Sequence, residues 1–237
     1  MRAERNIAKA APEEIDLERR FRAFIADWRF PCVGAKAAMA HGAVTTLVAG
    51  DIAADADDPR VYSALLGFIG RYRRNPGPFQ SLAVIYRNPA HMSEAAFEAA
   101  LWTRVQRLSE QDVRLGVPYD PRVSDDADSP HFSISLGGEA FFIVGLHPHA
   151  SRPARRFETP VLVFNPHNQF EELRASGLYE TLRERITRRD VAFSGSANPM
   201  MACFGEVSEA RQYSGRQVDE TWKCPFTHGG AKASHDP

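Results

Sequence analysis

Near the middle of the chain, the segment GLHPHASRPARRF from Gly145 to Phe157 gathers His147, His149, Arg152, Arg155 and Arg156. It follows an apolar run, Ala140 to Leu146, with the length and content of a strand, so these groups stand at a strand's exit. If the chain stays extended, His147 and His149 project to one side. A histidine beside arginines is chemistry that can hold an iron porphyrin, with imidazole for the metal and guanidinium groups for the two propionates. The same set can hold a phosphate or carboxylate substrate, and a basic loop after a strand can equally be a solvated turn.

Other residues compete for a role. His167 lies in NPHNQFEEL, Asn165 to Leu173, at the end of the next strand, and comes near His147 if the two strands are neighbours. Glu171 and Glu172 suit a helix N-terminus, and the sharper reading gives one of them, Glu171, a cationic substrate. His131 before an alternating strand, and Cys32 after Phe30-Pro31, are alternative metal ligands; for Cys32 and Cys224 a small buried thiol is the simpler reading. Arg183, Arg185, Arg188 and Arg189 read as a solvated helix end, and SEARQYSGR, Ser208 to Arg216, as a lid or substrate loop. GxGxxG, GxxxxGK[ST], GxSxG and HExxH are all absent. Redox chemistry would therefore draw electrons from a partner or from peroxide.

The elements that must position these groups follow from periodicity. Leu17, Phe21, Phe24, Ile25 and Trp28 recur at helical spacing before Pro31, and Val61 to Tyr72 and Phe97 to Leu108 give two more helices, the latter capped by Ser93. Val44 to Ala49 and Ser81 to Tyr86 read as buried strands. Pro118 to Pro130 is a surface loop, Phe132 to Leu136 alternates as a strand, and Gly137-Gly138 turns it into Ala140 to Leu146. A strand over Pro160 to Phe164 precedes a last helix, Phe170 to Ile186, which Gly177 can split; little regular structure is expected after Ser194. The order predicts one α+β domain, a mixed sheet covered by helices, over residues 15–227. Residues 1–14 and 228–237 are expected to be flexible.

Composition narrows the function classes. The 237 residues carry 29 Lys+Arg against 30 Asp+Glu, a net charge of −1, which argues against a dedicated nucleic-acid binder. A hydrophobic fraction of 43% supports a sizeable core. No apolar run approaches the roughly 20 residues of a membrane span, and the N-terminus lacks a signal-peptide centre. Cys32, Cys203 and Cys224 form no CxxC pair and read as reduced thiols, so a cytoplasmic location is expected.

Several segments together resemble the YqcI/YcgG family: Phe30-Pro31-Cys32 with Gly34-Ala35, Gly137-Gly138-Glu139 with Phe141-Phe142, GLHPHASRPARRF, Val163-Phe164-Asn165 with His167 and Gln169-Phe170-Glu171, SEARQYSGR, and Trp222 with Cys224-Pro225-Phe226. The resemblance runs from about residue 20 to residue 226 and implies a heme-dependent N-hydroxylase acting on a guanidine nitrogen. His147 keeps the LHP position of the heme branch; the chain departs at His149-Ala150-Ser151, where a more serine-rich stretch is expected. The expectation is heme b on His147, with His131 and Cys32 as alternatives, and Arg152, Arg155 and Arg156 at the propionates. His167 and Glu171 would serve a small cationic substrate such as arginine, with dioxygen and an external donor, a ferredoxin or reductase; a homodimer is compatible. Two other readings stay open: a heme carrier or sensor without turnover, and a cofactor-free hydrolase or ligand-binding domain with His147 as general base.

Overall fold

The computed structural model describes residues 11–89, 91–202 and 204–229, so Cys203 and the outer parts of both expected flexible ends lie outside the described residues. Five strands form one mixed sheet in the order β1-β2-β5-β4-β3, an α+β fold. β1 (Val44–Asp51) and β2 (Ser81–Asn88) are parallel; β5 (Val161–Pro166), β4 (Glu139–Leu146) and β3 (Ile134–Leu136) continue antiparallel. Ser81 to Tyr86 is buried at every position because both faces of this inner strand are covered, which explains its unbroken apolar run.

α3 (Asp58–Arg74) and α4 (Glu94–Leu115) cover one face, setting Leu65, Phe68, Phe97, Leu101 and Val105 into one core with Leu82, Val84, Phe141 and Ile143. α1 (Pro12–Ala26) and α2 (Val33–Ala40) cover the other, where Leu17, Phe21, Ile25 and Ala38 join Val48, Ala83, Ile85 and Leu146. α4 starts where expected, with Ser93 Oγ accepting from the Ala96 N–H. Inside α4, the fully buried Arg104 reaches across to the β1–α3 connection. Its Nη2 donates to the carbonyls of Asp51 (2.9 Å), Ile52 (3.0 Å) and Ala54, and its Nη1 pairs with Asp58.

The hairpin at Gly137-Gly138 forms, both residues at positive φ (61° and 70°), and a Cβ at Gly137 would strike Ile69 and Leu66. Gly177, at φ 70°, divides the last expected helix into α5 (Asn168–Ala175) and α6 (Leu178–Ser194).

Some expectations are corrected. α1 begins at Pro12, inside the segment expected to be flexible, and ends at Ala26. α2 was not expected, because VGAKAAMA has no amphipathic period; it starts on Cys32, whose Sγ accepts from the Ala35 N–H at 3.4 Å. Phe132 makes only an isolated bridge to Ser124, so β3 is shorter than the alternation suggested. After Ser194, α7 (Ala210–Tyr213) docks on the hairpin: the buried Tyr213 hydroxyl donates to the Phe141 carbonyl at 3.0 Å and accepts from the Ile134 N–H at 3.2 Å. Among the described residues, no helix is long and apolar enough to cross a membrane.

Candidate functional site

A cavity of about 300 Å³ lies on the α1/α2 side of the sheet. Its floor is Phe142, Val144 and Leu146 of β4 with Val163 and Asn165 of β5, and Leu182 and Ile186 of α6 line it as well. Asp190 is the one buried residue of α6, so that helix covers the space without filling it. The volume is at the lower end of ligand and cofactor sites. A second cavity of about 210 Å³ shares Phe142, Phe170, Leu182, Ile186 and Met201 with the first, so the two adjoin.

The polar groups on the first cavity include Ser81, Asn165, Asp190 and Asn198. The Cys32 thiol is another. Burial pushes its pKa up, against the N–H groups of Ala35 and Gly34 and the charge of Arg155, which favour the thiolate. Arg152 and Arg155 are also on the wall. Arg152 pairs with Asp190 at 2.5 Å and donates to the Ser196 carbonyl at 2.8 Å. Arg155 donates to the carbonyls of Gly145 (3.0 Å), Tyr213 (3.2 Å) and Gln212 (3.1 Å), and desolvation lowers its pKa to about 10. Gln169, 3% exposed, donates to the Gln80 carbonyl at 3.4 Å, while its Oε1 has no hydrogen-bond partner. Sequence reasoning missed Gln169; its place inside the quoted Gln169-Phe170-Glu171 stretch was the available signal.

His147 does not reach this cavity. Successive strand residues alternate between faces. Leu146 points to the cavity, and His147 stacks on Phe97 of α4, ring centroids 4.4 Å apart. The imidazole is fully buried, neither nitrogen has a hydrogen-bond partner, and desolvation lowers its pKa to about 4, so it is neutral at pH 7. The chain then turns, with the Ala150 N–H donating to the His147 carbonyl at 3.2 Å. That turn leaves His149 exposed beside His91, and not on the His147 side as an extended chain would. Arg156 is exposed and donates to the carbonyls of Ala150 and Ser151, away from both cavities.

The expected neighbourhood of His147 and His167 is also corrected. β4 and β5 are neighbours but antiparallel, so the two histidines sit at opposite ends of the pair. The His167 N–H donates to the Ala140 carbonyl at 2.8 Å, roughly 20 Å of strand from His147. Glu171 is exposed on α5, paired with Arg174 and outside both cavities. The buried carboxylate near His167 is Glu209, from SEARQYSGR, with Oε1 3.6 Å from His167 Nε2. His131 is exposed, its ring edge-on to Phe204 at 5.4 Å.

Gly145 makes the close approach of β4 to α4 possible: a Cβ there would stand 2.7 Å from the Phe97 ring and 2.9 Å from the Tyr213 carbonyl oxygen. Gly145→Ala is expected to cost about 1–3 kcal/mol by overpacking. Thermal melting checks this, and an unchanged Tm would mean that the contact yields freely.

The family description "YqcI/YcgG family" matches residues 21–227. The "Uncharacterized protein YcgG" of Bacillus subtilis (strain 168) is 26% identical over 209 residues, covering 84% of this chain and 81% of that protein. The "Uncharacterized protein YqcI" of the same organism is 23% identical over 208 residues, covering 84% and 80%. No solved structure gives a significant match. With the hairpin, the cavity-lining Cys32 and Arg155, and the docked SEARQYSGR segment all inside the matched span, the chain belongs to the YqcI/YcgG family.

Proposed function

We propose that this chain is a heme-dependent oxygenase that hydroxylates a guanidine or amine nitrogen of a small cationic substrate, with heme b taken up between the sheet and α6. The observation that carries the seat is the first cavity, whose largely apolar lining includes one thiol, Cys32, and two guanidinium groups, Arg152 and Arg155, beside the Asp190 carboxylate and the polar side chains of Ser81, Asn165, Gln169 and Asn198. That donor set fits the group: a soft ligand for iron and two cations for propionates, in a space that α6 only loosely fills. Cys32 replaces His147 as the preferred axial ligand, because His147 lies against Phe97 on the other face. When bound, heme supplies the activation of dioxygen with electrons from an external donor.

The protein's own residues would do the rest. Burial raises the pKa of the Cys32 thiol, and the N–H groups of Ala35 and Gly34 act against that rise. Arg155 is held by backbone carbonyls and offers charge at a fixed position, whereas the charge of Arg152 is met by Asp190 at 2.5 Å. The unpaired Gln169 Oε1 can accept a hydrogen bond from a ligand N–H.

The test is a pyridine hemochrome assay and a ferrous–CO spectrum on heme-loaded protein. About one heme per chain is expected, as one such cavity admits, with a thiolate-type band. Cys32→Ser, which leaves a good helix cap, should lose that band, and His147→Phe should keep it. Loss of heme in His147→Phe with retention in Cys32→Ser returns the ligand to His147, and absence of stoichiometric heme overturns the reading. Bound heme without any oxygenated product across a panel of amines and electron donors would leave a carrier or sensor.

A further inference from the structure

We infer that α6 is a hinged lid over the two cavities, latched shut by Asp190 on Arg152 and lifted to admit a ligand. Leu182 and Ile186 line both cavities, and Asp190 is the one buried residue of the helix. Leu178 at one end and Val191 near the other are 58% and 39% exposed, so neither end is packed into the core. Lifting such a helix gives up little buried apolar surface, which places it among the least stable parts of the fold. Both flanks are built to bend. Gly177 and Gly195 stand at positive φ, 70° and 79°, and no described atom lies within 4 Å of a Cβ at either, so the chain is free to turn there.

What holds the lid is polar and sits in one half of it. Among the described residues, the side-chain hydrogen bonds from α6 to other elements come from Thr187, Arg189 and Asp190, all in its C-terminal half. Asp190 meets Arg152 of the segment after β4 at 2.5 Å. Arg189 donates to the carbonyls of Trp28 and Phe30, the latter at 3.1 Å, between α1 and α2. Thr187 Oγ1 donates to Met201 Sδ at 3.4 Å. Arg152 also donates to the Ser196 carbonyl at 2.8 Å, which pins the chain just beyond the Gly195 hinge. At the other end Tyr179 only stacks with Arg174 of α5, the guanidinium 4.4 Å from its ring centroid. The latch also governs Arg152. That residue stays with the segment after β4 while Asp190 travels with α6, so its charge is open to an anionic ligand group only while the lid is lifted.

This inference rests on the proposed function only for what the cavity receives; its test reads access to the Cys32 thiol and needs no heme, so the two can fail separately. Cys32 lines the first cavity and is half-buried, so a small reagent reaches it with the lid closed and a large one does not. Alkylation of the full chain is followed at the Cys32 peptide by mass spectrometry, with iodoacetamide and with a bulky dye-linked iodoacetamide, each rate taken relative to a free thiol. In the wild type the bulky reagent should be the slower of the two. Asp190→Ala should raise the bulky rate by about tenfold or more, the factor for loss of a charge-assisted hydrogen bond, and the small rate much less. A change in thiol ionisation alone would raise both alike. Should Asp190→Ala fail to fold, Arg189→Ala, which removes the ties to Trp28 and Phe30, should give the same selective rise. Equal relative rates in the wild type, or an unchanged ratio of the two in a folded variant, overturns the lid.

Discussion

Arg104→Ala is expected to lower the stability of the chain by about 3–5 kcal/mol, the range for removing one partner of a buried, hydrogen-bonded ion pair. The side chain is fully buried in the middle of α4, and its guanidinium lies 5.3 Å from the Tyr86 ring centroid. Its Nη2 holds the carbonyls of Asp51, Ile52 and Ala54, and its Nη1 meets Asp58 at the start of α3. Truncation strips those carbonyls of a donor and leaves a cavity beneath β2. For a domain of this size the loss corresponds to a fall in Tm of about 6–20 °C. Arg104→Lys should recover only part of it, because one ammonium cannot replace a planar fork. Urea unfolding of the three proteins measures the difference, and a loss below about 1 kcal/mol, the size of an exposed ion pair, would show that the network adds little.

The second large effect depends on pH. In the folded chain the His147 pKa is lowered to about 4, chiefly because burial against Phe97 disfavours the imidazolium; His149 and Arg155 add to the lowering and Glu94 opposes it. Unfolded, the ring titrates near the ordinary value of 6.5. Between these values the unfolded chain takes up a proton that the folded chain refuses, so stability falls as the pH drops from about 6.5 to about 4. The full loss is on the order of 3 kcal/mol, developing at about 1.4 kcal/mol per pH unit. His147→Phe removes the titrating group and keeps a ring against Phe97. Its stability relative to wild type should therefore rise as the pH is lowered through that window, in chemical denaturation at pH 7 and near pH 4.5. Parallel stability curves for the two proteins would mean that burial does not change the protonation of His147 on folding.

Much of the fold was legible in the residues themselves. The unbroken apolar run of β2, the Gly137-Gly138 turn and the division at Gly177 are local signals, because side-chain period and positive φ are properties of a few adjacent residues; the alternation over Phe132 to Leu136 misled, since Ser133 and Ser135 are buried too and the strand is only Ile134–Leu136. α2 escaped notice because an alanine-rich octet with two buried residues has no stripe to read. α7 is a single turn whose place is set by Tyr213 bonding to the hairpin, a contact between residues far apart in the chain.

For the candidate site the division is sharper. The chemical groups on offer are plain in the residues: the histidines and arginines of GLHPHASRPARRF, the Cys32 thiol and the acid within SEARQYSGR. Which of them meet depends on long-range packing. Strand alternation sends Leu146 to the cavity and His147 to Phe97, the turn after His147 separates it from His149, and antiparallel pairing puts His167 at the far end of β4. Cys32, Arg152 and Arg155 come together instead because α2 and the segment after β4 pack on the same face, and Glu209 reaches His167 because α7 docks beside it. Spacing along a chain fixes direction only while the backbone stays regular. Beyond a turn or a strand end, which face a side chain joins is settled by packing against distant elements.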